Sequence, residues 1–192
     1  MSYAKNLIKY LKIINNILED SELDNLDILF DTLNRHFENK GRVFLAGNGG
    51  SAAIASHAST DLKKLRKDGK MINTICLNEN VSSITALSND NGYENYLVNQ
   101  IENFEVDEND SVIVISSSGN SDNVINLLKY CKQNQAKTFA LVGFSGGELN
   151  KLADFPIFLN SKNNYYGPIE DLHMIIFHLF AHLVLDNLDE LN

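Results

Sequence analysis

The sequence predicts an α/β fold, a doubly wound five-stranded parallel sheet flanked by helices, with extra helices at the amino end. Three observations predict it. Short apolar segments alternate with segments of helical period, the pattern of consecutive βαβ units. Val112-Ile113-Val114-Ile115 is an unbroken β-branched run, as in a parallel strand buried on both faces. Two strand ends, after Ala46 and after Ile115, pass into polar glycine- and serine-rich turns that lead into helices. Ligands of doubly wound sheets bind beyond the carboxyl ends of the strands, so the same turns mark a candidate site.

The elements follow in order. Residues 3–18 carry Leu7, Leu11, Ile14 and Leu18 at helical spacing, an amphipathic stripe that needs a partner surface. Ser21, with Asp24 three residues on, reads as the start of a second helix running to about Phe37. Arg42 to Ala46 is the first strand. Gly47-Asn48-Gly49-Gly50-Ser51 turns from it into a helix of small residues. Met71 to Leu77 is the second strand, Val81 to Leu87 a short helix, Ser88 to Gly92 a polar turn, and Tyr93 to Phe104 a helix. Ser111 to Ser116 is the third strand, followed by a helix from Asp122 to Gln135. Thr138 to Val142 is the fourth strand, Gly143 to Gly147 its turn, and Phe155 to Leu159 the fifth strand. Pro168 opens the last helix at its first position, and the helix runs to about Asn187. Nothing repeats, so residues 1–192 read as a single domain whose first 40 residues are helices for oligomer packing.

The totals narrow the function. A chain of 192 residues, 44% hydrophobic, supports one sizeable core. A net charge of −9 argues against nucleic acid as a partner. Lys63, Lys64, Arg66, Lys67 and Lys70 read as a solvated helix end, with a local phosphate patch as the alternative. Cys76 and Cys131 lie far apart without metal-ligand spacing and read as reduced core thiols. No signal peptide and no membrane-length apolar run is visible, so the expected location is the cytoplasm, away from membranes.

The chemistry concentrates at the two turns and the last helix. A strand that turns through Gly47–Ser51 into a helix gathers free N–H groups and the positive end of a dipole, which favour an anion. The alternative is a tight turn with no ligand. His57 and Asp61 stand four apart on the same helix, on one face, as a candidate metal or acid–base pair. Ser116-Ser117-Ser118-Gly119-Asn120-Ser121 offers hydroxyls and backbone N–H groups that suit a phosphate without lysine, or else a serine-rich helix cap. Neither turn is G-x-G-x-x-G or a P-loop. The last helix interleaves Glu170, Asp171, His173, His178 and His182 with apolar residues. Each histidine reads as a core residue or a functional one, and His178 with His182 is a further chelating spacing.

Together, Gly47–Ser51, His57 with an acid four residues on, and Ser116–Ser121 closely resemble the sugar isomerase (SIS) domain. The similarity runs over nearly the whole chain, and within that family it points to the phosphoheptose isomerases. The resemblance implies an aldose–ketose isomerase that converts sedoheptulose 7-phosphate to D-glycero-D-manno-heptose 7-phosphate for lipopolysaccharide or capsule. It implies that Asn48, Gly49, Gly50 and Ser51 line the sugar, that Asn89 and Asp90 contact substrate, and that Ser116, Ser117, Ser118 and Ser121 hold the phosphate. It implies one divalent ion per subunit, zinc, on His57, Asp61, Glu170 and His178, with Asp61 and His178 as catalytic base and acid and Glu170 also at the substrate. It implies a homotetramer. The same resemblance covers a non-catalytic SIS protein that binds the replication initiator, isomerases of other phosphosugars, and sugar-phosphate-sensing regulators. Proteins of the initiator-binding kind lack the acid that Asp61 supplies here, and no DNA-binding segment accompanies this chain.

Four positions depart from the family pattern. Asp61 stands for a glutamate, Glu170 for a glutamine, Gly167 for an acid and Leu65 for an arginine, with Arg66 next to it. Two carboxylates and two imidazoles remain an acceptable zinc set. Glu170 and His178 are eight residues apart, about 12 Å along a straight helix, so both side chains must lean to reach one ion.

Overall fold

A computed structural model describes residues 2–161 and 164–186. Its five strands are β1 (Arg42–Gly47), β2 (Asn73–Cys76), β3 (Ser111–Ser116), β4 (Lys137–Val142) and β5 (Phe155–Phe158). They pair in the order β2-β1-β3-β4-β5, and every pair is parallel. The helices are α1 (Tyr3–Glu19), α2 (Leu26–Arg35), α3 (Gly50–Lys64), α4 (Val81–Asn91), α5 (Tyr96–Ile101), α6 (Asp122–Gln133), α7 (Leu149–Leu152) and α8 (Tyr166–Val184). A 3₁₀ turn, Glu102–Phe104, extends α5.

Strand side chains alternate between two cores, as the period of two requires. Val43, Leu45, Ile113, Ile115, Phe139 and Leu141 face α2, α3 and α8. Phe44, Ala46, Val112, Val114, Ala140 and Val142 face α4, α5, α6 and α7. Residues 112–115 of β3 are fully buried, which accounts for their β-branched run. The sheet reverses direction of growth between β1 and β3, the switch point where doubly wound folds open a crevice. Both polar turns emerge there. The opposite end is clasped by Arg42, whose guanidinium donates to both carboxylate oxygens of Asp110 at 3.0 and 2.6 Å.

Several expected boundaries move. Ser21 does not start α2: its hydroxyl donates to the Ile17 carbonyl, closing α1, and accepts from the Asn160 N–H. Glu22 then pairs antiparallel with Phe158 at the edge of β5, so α2 begins only at Leu26. Of the expected Ser88–Gly92 turn, residues 88–91 are the last turn of α4, and Gly92 caps it with φ +86°. The helix expected from Tyr93 begins at Tyr96. Pro168 is the third residue of α8, not the first, and its missing N–H falls among donors a first turn leaves unpaired. Asn187, the expected end of α8, lies outside the described residues, and α8 ends at Val184. The four-residue α7 has no counterpart in the sequence reading.

Cys76 and Cys131 are free and buried, and burial pushes the Cys131 thiol up to about 12. The basic run beyond α3 faces solvent and pairs locally, Lys63 with Glu79, Lys64 with Asp61 and Lys70 with Glu38. Among the described residues no helix is long and apolar enough to cross a membrane.

Candidate active site

At the switch point a cleft of about 300 Å³ lies between the β1 and β3 turns and α8. Asn48, Gly49, Gly50 and Ser51 form one wall, and Ser116, Ser117, Ser118 and Ser121 form another. Tyr166 and Glu170 of α8 complete it. Among the described residues no lysine or arginine lines the cleft, and the donors they offer an anion there are neutral.

The serine turn is built to leave donors unspent. Ser121 is the N-cap of α6 but makes no side-chain cap bond, so the first N–H groups of α6 lack that partner. The Ser117 hydroxyl is buried without a hydrogen-bond partner among the described residues. Ser116 and Ser118 accept from the Gly119 and Asn120 N–H groups and so fix the turn. Gly119 has φ +66°, and a Cβ there would stand 2.0 Å from the Gly146 carbonyl oxygen, so only glycine lets the two loops meet.

The glycine turn after β1 meets a carboxylate of the chain itself. A Cβ on Gly50 would lie 2.4 Å from Glu170 Oε1 and 2.5 Å from Oε2. Glu170 therefore sits against the first turn of α3, where the dipole favours a negative charge. The anion expected at this helix end is supplied in part by Glu170, leaving the serine turn as the freer place for an anion.

Farther along, α3 and α8 bring together His57, Asp61 and His178. His57 Nε2 is 3.0 Å from Asp61 Oδ2, His178 Nε2 is 3.4 Å from His57 Nε2, and His178 Nε2 is 3.9 Å from Asp61 Oδ2. Ligands about 2.0–2.2 Å from a tetrahedral ion stand roughly 3.3–3.6 Å from one another. The three separations bracket that span, so small turns of these side chains would bring the donor atoms to three corners of a metal site. Glu170, the expected fourth ligand, is outside this group and stays with Gly50. The same two helices touch at Gly50 with Glu170 and at His57 with His178, so they run side by side in one direction. Seven residues of α3 put about 10 Å between the two points.

Asn89 and Asp90 fall elsewhere. They are exposed on the last turn of α4, where Asn89 donates to Asp90 at 3.0 Å, and neither lines the cleft. Tyr93, three residues on, does reach the site: its hydroxyl donates to Asn48 Oδ1 at 2.7 Å. Asn123 of α6 also holds Asn48, in a reciprocal amide pair of two 2.8 Å bonds. Asn78 brackets Gly47, accepting from its N–H and donating to its carbonyl, both at 3.0 Å. The sequence assigns no site role to Tyr93, Asn123, Asn78 or Tyr166. Only the chain spacing of Asn123, two residues into the helix after the serine turn, hints at its place.

His173 and His182 separate from this chemistry. His173 is fully buried with neither ring nitrogen hydrogen-bonded. Burial pushes it down to about 3, opposed only weakly by the nearby Val142 carbonyl. His182, one turn beyond His178, does not join the metal-binding group.

Comparison with known proteins agrees with this architecture. A family model described as SIS domain matches residues 6–143. The phosphoheptose isomerase of Helicobacter pylori is 33% identical over 165 residues, covering 85% of this chain and 82% of that protein. Phosphoheptose isomerase 2 of Campylobacter jejuni is 37% identical over 153 residues, covering 79% and 75%. In fold, the chain superposes on the phosphoheptose isomerase GmhA from Neisseria gonorrhoeae with a TM-score of 0.82 at 24% identity, covering 96% of this chain and 97% of that one. With the sheet order, the serine turn and these matches in hand, the chain belongs to the SIS-domain family and, within it, to the phosphoheptose isomerases.

Proposed function

We propose that the chain is an aldose–ketose isomerase that converts sedoheptulose 7-phosphate to D-glycero-D-manno-heptose 7-phosphate. One observation carries the reading: a serine-lined cleft whose hydrogen-bond donors are neutral shares a helix pair with a His–Asp–His trio. A seven-carbon sugar built of bonds of about 1.5 Å spans roughly 9 Å from its reacting carbons to its phosphorus. That length is commensurate with the separation of the cleft from the trio along α3. The relatives at 33% and 37% identity are named phosphoheptose isomerases, which supports a seven-carbon sugar phosphate as substrate.

The reaction moves one proton between neighbouring carbons and needs a base, a proton carrier and a means to hold an oxyanion. The phosphate is held by the Ser117 and Ser118 hydroxyls and the first N–H groups of α6. Asp61 takes the C1 proton of the ketose, giving an ene-diol(ate), and returns it to C2. His178 delivers a proton to the C2 oxygen and receives one from the C1 oxygen. The His57 ring, 3.0 Å from Asp61, fixes the position of the carboxylate. A divalent ion, zinc, on His57, Asp61 and His178 would stabilise negative charge on the two sugar oxygens when bound. Atoms balance, because the product is an isomer. The presence of Asp61 favours an enzyme over a non-catalytic binding protein.

The same reading includes a homo-oligomer, a tetramer. Its support is α1, whose Leu7, Ile8, Leu11 and Ile13 are each about half exposed along one long helix.

The test is turnover of a ketose-phosphate panel of five, six and seven carbons, with zinc present and after chelation. Aldose should form fastest from the seven-carbon substrate. Chelation should slow it, and zinc should restore it with one ion per chain by elemental analysis. Asp61→Asn should cut kcat by about 10²–10⁴-fold while leaving KM close to unchanged. Failure of every ketose phosphate to react with zinc present would sink the reading.

A further inference from the structure

The Asn48 side chain is almost fully committed. An asparagine amide offers two N–H donors and an oxygen with two lone pairs. Both lone pairs of Asn48 Oδ1 are taken, by Tyr93 Oη at 2.7 Å and Asn123 Nδ2 at 2.8 Å. One Nδ2 hydrogen goes to Asn123 Oδ1 at 2.8 Å. What is left is the second Nδ2 hydrogen, on a residue that lines the cleft.

We propose that Asn123 and Tyr93 are positioning residues that lock the Asn48 amide so that it offers the cleft an N–H donor and no acceptor. Asn48 then donates to a substrate oxygen, and it rejects a group that can only donate, such as an ammonium. This rests on the isomerase reading of the same cleft.

The parts are suited to that task. Asn123 is 2% exposed, so its amide has no solvent to turn to, and reversing the Asn48 amide would set oxygen against oxygen unless Asn123 reversed too. Tyr93 breaks the symmetry of the amide pair, because a phenol hydroxyl donates readily to an amide oxygen. Its ring is fixed by Tyr96, with centroids 5.0 Å apart, and Tyr96 is buried and hydrogen-bonded to Asn78 at 2.9 Å. The chain Asn78, Tyr96, Tyr93, Asn48, Asn123 thus ties α5, α6 and the loops after β1, β2 and α4 around one donor. A group held this way spends no ordering entropy when substrate arrives.

A double-mutant cycle with sedoheptulose 7-phosphate tests it. Asn123→Leu should lower kcat/KM by about tenfold, the worth of one hydrogen bond. In the Asn48→Ala background the same change should cost less than about twofold, because a positioning residue acts only through Asn48. Losses that multiply in the double variant overturn the proposal. Tyr93→Phe guards against misfolding, since Tyr93 is half exposed and loses only its hydroxyl; it should raise KM with no change in melting temperature. Side-chain amide NMR supplies a readout independent of turnover. One Asn48 Nδ2 proton should exchange slowly in the wild type and fast in Asn123→Leu. Equal exchange in both overturns the positioning role, whereas an inactive wild type with protected Asn48 overturns only the isomerase reading.

Discussion

Glu170 is the residue where charge and function meet most directly. Its carboxylate rests on the first turn of α3, close to Gly50, in a cleft whose other donors are neutral. A dipole contact of this kind stabilises by about 0.5 kcal/mol. The same negative charge opposes a phosphate dianion in the same cleft. Glu170→Gln should therefore lower KM for a sugar phosphate several-fold and move stability by less than about 1 kcal/mol. Steady-state kinetics at low and high salt checks both the sign and the electrostatic origin, since screening should narrow the difference. A KM that rises would instead show the carboxylate binding the sugar hydroxyls. The residue type was visible in the sequence, but its partner was not. Gly50 and Glu170 are 120 positions apart, and nothing local links them.

At the scale of elements, α8 carries one titratable group into the core. His173 stays neutral in the folded chain down to about pH 3, while the unfolded chain takes up a proton below its ordinary value of 6.5. A folded value below the unfolded one means that stability is full above pH 6.5 and falls as the pH drops toward 3. The slope is at most about 1.4 kcal/mol per pH unit. His36, also pushed down by burial, acts in the same direction. Asp110 and Asp154 add to the loss only at lower pH: burial opposes their ionised forms, but Arg42 beside one and Lys132 and Thr138 beside the other outweigh it. Urea melts between pH 7 and 4.5 should show wild-type stability falling. His173→Leu should flatten much of that fall, and an unchanged slope would acquit His173.

The whole molecule leaves α1 half used. Ile17 is its one buried residue, Ile14 packs beside it, and the Tyr10 hydroxyl donates to Asp171 at 2.6 Å. Gly167 makes that clasp possible, since a Cβ there would stand 2.9 Å from the tyrosine oxygen. The stripe expected to find a partner divides accordingly: Ile14 turns to α8 and the core, while Leu7, Leu11 and Leu18 stay exposed. Leu7→Lys with Leu11→Lys should keep the fold by circular dichroism and lower the mass seen by light scattering toward one chain. A wild type that already runs as a monomer would remove the oligomer from the reading.

The sequence by itself determined the sheet and its crevice. Unbroken apolar runs at Val43–Ala46 and Val112–Ile115 can only be buried strands, and the turns after them hold the glycines and serines the backbone there needs. His57 and Asp61 were legible too, because helical spacing alone puts them on one face. Tertiary structure decided what lies across from them. It set His178 beside His57 and Asp61 yet held Glu170 two turns away, since two helices in parallel register keep their own spacing. It left Asn89 and Asp90 on the outside of α4 and sent Tyr93 and Asn123 to Asn48 instead. Such pairings form between residues 45 to 121 positions apart, where the sheet order sets the neighbours and no local pattern records them.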